Sequence, residues 1–87
     1  MKFKDLIVNR AERFSLGVEE ASGRYFLSVP VRNDFAEYEE YYALTPGQFE
    51  RFRQDRAAAS AFASACRRRE HDALLMVQPG GSRGVAN

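Results

Sequence analysis

Tyr25-Phe26-Leu27-Ser28-Val29-Pro30-Val31, then Tyr38-Glu39-Glu40-Tyr41-Tyr42, then Thr45-Pro46-Gly47-Gln48-Phe49: read in order, these three segments decide the fold. In the first, Tyr25, Leu27, Val29 and Val31 alternate with Phe26, Ser28 and Pro30, which is the period of a β-strand. The second is also strand-like, but its phase is awkward. Tyr38, Tyr42 and Leu44 share a face with Glu40, while Tyr41 points the other way. Either a β-bulge near Glu39-Glu40 re-aims one side chain, or Glu40 sits over the core rim and needs a partner, because burying a lone carboxylate is expensive. The third segment starts a helix: Thr45 caps it, Pro46 suits its first position and Gln48 completes a capping box.

Upstream, Phe14, Leu16 and Val18 alternate within Arg13 to Glu19, and Glu20-Ala21-Ser22-Gly23 is a turn. With the strand from Tyr25 they predict a β-hairpin. Pro30 donates no ladder hydrogen bond and marks a strand end, an edge or a bulge. Phe3 to Val8 is a short edge strand, and Arg32-Asn33-Asp34 turns into a strand running from about Ala36 to Leu44. Downstream, Phe49, Phe52, Ala59, Phe62, Ala63 and Cys66 fall on one helical stripe. A single helix from Pro46 to Arg69 would be roughly 36 Å long, too long for a domain of this size. A break near Gln54-Asp55 is therefore expected, with Asp55 capping a second, alanine-rich helix that lies close against the sheet. Ala73-Leu74-Leu75-Met76-Val77 is expected to return as a last buried strand. The expected class is α+β, a mainly antiparallel sheet of about four to five strands packed against one broken helix or two helices. Residues 1–78 form a single domain on this reading, and residues 79–87 a flexible C-terminal tail.

At 87 residues, 45% hydrophobic and 29% charged, the chain is one globular domain rather than a disordered or fibrous one. No apolar run approaches the roughly 18 residues of a membrane span, and the opening Met1 to Arg10 is too polar for a signal peptide. The single cysteine, Cys66, forms no internal disulfide. A cytoplasmic protein with no membrane partner is the expectation. Charge is polarised: residues 1–50 carry six Lys/Arg against nine Asp/Glu, and residues 51–87 carry seven against three. Such a molecule can steer a charged partner.

Three clusters compete for function. Glu37, Glu39 and Glu40, with Asp34 nearby and tyrosines interleaved, combine charge complementary to a basic partner with rigid amphipathic contact area. Asp34, Glu37, Glu39, Glu40 and Tyr41 are the expected partner-binding residues. Arg51, Arg53 and Arg56 with Arg67-Arg68-Arg69 offer guanidiniums for phosphate, the basis of an alternative reading as a small nucleic-acid-binding regulator. Against it, the triple arginine falls at a helix end, where the macrodipole favours cations. Glu70 and Asp72 also dilute it, so nucleic acid is not the expected direct partner. His71 and Cys66 are too few to make a metal site, and Gly80-Gly81-Ser82-Arg83-Gly84 lacks the lysine and setting of a phosphate loop. With no nucleophile, metal set or cofactor loop beside Glu37 and Glu39, an enzyme is not expected, and neither is a cofactor.

Gly23-Arg24-Tyr25-Phe26-Leu27-Ser28-Val29-Pro30-Val31, Tyr38 to Tyr42, Cys66 to Leu75 and Gln78-Pro79-Gly80 together resemble small bacterial immunity proteins of contact-dependent growth inhibition systems, which are encoded beside polymorphic toxins. The resemblance runs from Asp5 to about Val85. It implies a non-catalytic protein that binds the C-terminal domain of a cognate toxin, often a nuclease, as a monomer in a one-to-one complex. It does not assign the contact residues, which rest on the chemistry of the acidic segment alone.

Overall fold

The alternating segments pair in chain order. In the computed structural model, which describes residues 1–80 and 83–86, β1 (Phe3–Asn9), β2 (Phe14–Glu19), β3 (Arg24–Arg32) and β4 (Glu37–Leu44) form an antiparallel meander in the spatial order β1-β2-β3-β4. Two helices follow, α1 (Pro46–Gln54) and α2 (Arg56–Arg67). The domain is thus α+β, as the periodicities require. Thr45 caps α1 in the expected box: its hydroxyl accepts from Gln48 N–H at 3.1 Å, and Gln48 Oε1 accepts from Thr45 N–H at 2.9 Å. Asp55 ends α1 and caps α2, accepting from Ala58 N–H at 3.1 Å. The helix break therefore lies where the length of the stripe demanded it.

The helices cover one sheet face. Phe14, Leu16, Leu27, Val29, Val31, Tyr42 and Leu44 meet Phe49, Phe52, Ala59, Ala63 and Cys66 in a continuous core. Ala59 and Ala63 are fully buried, and their small side chains let the α2 backbone approach the strands. Cys66 lies in the same core, and burial pushes its thiol up to about 12. It is an inert apolar neighbour rather than a nucleophile.

The other sheet face carries its own small apolar cover. Phe3 and Tyr41, from the two outer strands of the meander, lean inward and stack with ring centroids 3.6 Å apart. Phe26 lies edge-on to both, at 5.4 and 5.0 Å. Gly17 makes this possible: a Cβ there would collide with the Lys4 carbonyl oxygen and come within 2.6 Å of the Phe26 ring.

Glu19, buried at the end of β2, accepts backbone N–H bonds from Lys2 at 2.9 Å, Ala21 at 2.8 Å and Ser22 at 2.9 Å. These donors, Lys2 foremost, bring its pKa from 4.5 to about 2. A depressed carboxyl stabilises the fold above its unfolded value near 4.5, and the benefit fades as pH falls toward 2. Glu19→Gln should therefore lower the urea midpoint at pH 7, with the gap to wild type narrowing steadily between pH 5 and 2. A gap that stayed constant over that range would contradict this account.

One segment departs from the sequence expectations. Ala73 to Val77 is not a strand. Asp72–Leu74 forms a single 3-10 turn, Leu75 makes one isolated bridge with Tyr42, and Met76 N–H donates to the Tyr41 carbonyl at 2.9 Å. A short apolar run reads alike as a strand or as a buried turn, and here the turn seats Leu74 and Leu75 side by side against the core. The expected tail, 79–87, includes Gly81, Ser82 and Asn87, which lie outside the described residues. Within it, β5 (Val85–Ala86) pairs antiparallel with β3 at Arg32 and Val31, beyond the last β2 partner at Ser28. Gly84 is buried against Arg32, where a Cβ would stand 2.5 Å from the Arg32 carbonyl oxygen.

Candidate functional site: the acidic outer face of β4

The register between β3 and β4 runs without a slip, with Ser28 opposite Tyr41, Val29 opposite Glu40, Pro30 opposite Glu39 and Arg32 opposite Glu37. No bulge relieves the phase, so simple alternation sorts the acidic segment. Glu37, Glu39 and Tyr41 share the face away from the helices, and Tyr38, Glu40 and Tyr42 face inward. Asp34 is exposed on the β3–β4 connection. Four of the five expected contact residues thus lie on one side or at its end, and Glu40 is separated from them.

Glu40 takes the second course open to it, a buried carboxylate with a partner. Its side chain is 7% exposed and pairs with Arg83 at 2.8 Å. Tyr42 Oη–H also donates to Glu40 Oε1 at 3.0 Å, and burial followed by the Glu40 charge pushes the Tyr42 phenol strongly upward. Arg83 completes a bridge to Asp72 at 2.8 Å. Glu40 is committed to the fold and is not presented to a partner.

On the outer face, Glu39 is the distinctive group. Pro30 lies directly across the ladder from it, and its carboxylate sinks far enough that Oε2 is buried with no hydrogen-bond donor. Burial, then the charges of Asp5 and Glu37, raise its pKa, against an opposing pull from Arg13. A groove of about 240 Å³ runs beside it, lined by Val8, Arg13, Ser15 and Pro30 among others. Tyr41 is raised by burial first and then by Glu39 and Asp5, so its phenol keeps its proton and can donate. Ser28 Oγ, across the ladder from Tyr41, is also buried without a partner. The face therefore holds Asp5, Glu37 and Glu39 around an aromatic platform. It suits an incoming cation or N–H donor.

The arginines are mostly occupied within the chain. Arg53 pairs with Glu50, Arg56 with Glu12 at 3.7 Å and Arg68 with Glu70 at 2.6 Å. Arg67 donates to the Glu12 carbonyl at 2.7 Å and to that of Arg13, and Arg69 donates to the Gly84 carbonyl at 3.3 Å. Arg67 and Arg69 thus fasten the end of α2 to the β1–β2 turn and to the C-terminal segment. His71 stacks on Phe62, with ring centroids 4.5 Å apart.

Sequence reasoning missed Asp5 and Phe3 on the outer face, because nothing local links β1 to β4 across two intervening strands. It also missed Phe35, which stands exposed beside Asp34. Its signal, an aromatic inside a polar turn, was there to be read. Among the described residues, no group of three or more His, Cys, Asp or Glu is placed to hold a metal ion, and no helix is long and apolar enough to cross a membrane. The chain matches no protein-family model, no curated protein and no solved structure.

Proposed function

We propose that this chain is an immunity protein that neutralises a cognate toxin domain, most simply a nuclease, by stoichiometric binding in the cytoplasm. The observation that carries this reading is the outer face of β4, where the exposed carboxylates of Asp5 and Glu37 and the half-buried Glu39 stand around the Tyr41 ring. An acidic and aromatic surface has the chemistry of an interface. A nuclease must bind a polyanion, so the ground around its active site is basic and complementary to such a face. Size is compatible: a standard interface takes roughly 800 Å² from each partner, within reach of one face of a molecule with 5327 Å² of surface.

The nucleic-acid reading fares less well on geometry, because the arginines it requires are largely engaged with carboxylates and carbonyls of the same chain. Mixing the purified chain with the C-terminal domain of the polypeptide encoded immediately upstream should give a one-to-one complex by light scattering. Two species that elute at their separate masses at micromolar concentration would count against the proposal.

A further inference from the structure

Phe35 is the most exposed large apolar side chain among the described residues, at 84%, yet the turn that carries it is firmly built. Asn33 Oδ1 accepts the N–H groups of both Phe35 and Ala36 at 2.8 Å, and Asn33 N–H donates to the Ala36 carbonyl at 3.0 Å. This is a closed Asx turn, which fixes the backbone on either side of the ring. An aromatic ring held out in water by a hydrogen-bonded turn has its backbone already placed for contact, so less ordering entropy is lost when it is covered. Two more apolar side chains are exposed at the same end of the sheet. Val85, 73% exposed, pairs across from Arg32 at the start of this connection, and Val77, 50% exposed, lines a small cavity with Asn33.

We propose that Phe35 is the anchor of the partner interface, inserting into an apolar pocket with a basic rim on a protein partner. Charge selects that partner class. Asp34 precedes the ring and Glu37 follows it by two residues, against one cation, Arg32, across the ladder from Glu37, so the turn is net negative: it disfavours an anionic membrane surface or a phosphate backbone and attracts lysines or arginines around a protein pocket. The anchor sits at the end of β4 from which the acidic outer face extends, which joins an apolar centre to a charged flank. Aromatic anchors flanked by polar groups carry most of the energy of such contacts. The inference rests on the immunity reading, since it names the part of that interface that holds hardest.

The test measures the affinity of wild type, Phe35→Ala and Phe35→Trp for the purified C-terminal domain of the upstream-encoded polypeptide, with urea midpoints recorded alongside. Phe35→Ala should bind at least about 30-fold more weakly at an unchanged midpoint, and Phe35→Trp should stay within a few-fold of wild type. If Phe35→Ala binds within threefold of wild type, or if its midpoint falls with its affinity, the anchor is overturned while the complex stands. If wild type itself does not bind, the immunity reading fails and the anchor fails with it.

Discussion

Arg83→Ala is expected to cost the fold about 3–5 kcal/mol, seen as a large drop in the urea midpoint. The Arg83 side chain is 15% exposed and holds two carboxylates from different parts of the chain. Its Nε and Nη2 donate to Glu40 at 2.8 and 3.1 Å, while Nη1 and Nη2 donate to Asp72 at 2.8 and 2.9 Å. Removing the guanidinium leaves the Glu40 carboxyl buried, with its ion-pair partner gone and the Tyr42 hydroxyl as its remaining donor. A domain of this kind is stable by only about 5–15 kcal/mol in total. Arg83→Lys should recover part of the loss, because an ammonium keeps the charge but cannot bridge two carboxylates with a planar fork. Joint replacement of Glu40 and Arg83 by leucine should recover more, since it removes the buried charge together with its partner. The bridge also depends on acid: Arg83 holds the Asp72 carboxyl below its ordinary value, so that contribution is present above the unfolded pKa and is lost as pH falls through the lowered one. An Arg83→Ala midpoint within experimental error of wild type would refute this role.

Charge reversal on the outer face should have an equally large effect, but on binding. Asp34→Lys combined with Glu39→Lys is expected to weaken the proposed complex by about 100-fold or more and to abolish protection, with the fold intact. Stability and binding separate here for a physical reason. Burial and the neighbouring Asp5 and Glu37 charges raise the Glu39 pKa, so its ionised form opposes folding in full above that raised value, and the penalty fades as pH falls from there toward the unfolded value of 4.5. Glu39→Gln should thus leave the urea midpoint at pH 7 equal to or above that of wild type while still weakening the complex. Calorimetric titration beside urea unfolding reads both quantities. A well-folded double lysine variant with undiminished affinity would remove this face from the contact.

Much of the fold is legible along the chain because its signals are local. The alternation of Phe14, Leu16 and Val18, the Thr45 to Gln48 box and the position of Asp55 each declare an element within a few residues, and the structure places strands and helices there. Ala73 to Val77 reads as a strand because five consecutive apolar residues have no period to betray a turn. The partner of Glu40 was the hardest to foresee. The phase of β4 announces a buried carboxylate, but its cation lies 43 positions further on, among glycines that carry no structural pattern of their own. The candidate site divides in the same way. Alternation alone puts Glu37, Glu39 and Tyr41 on one face, whereas Phe3 and Asp5 join them only through the meander.

The most direct measurement is protection in the cell: co-expression of this chain with the active C-terminal domain of its upstream neighbour, scored as growth of the host. Full growth is expected with wild type, and arrest with the folded Asp34→Lys, Glu39→Lys variant. Arrest with wild type present at equal or greater abundance would contradict the claim that this chain is an immunity protein.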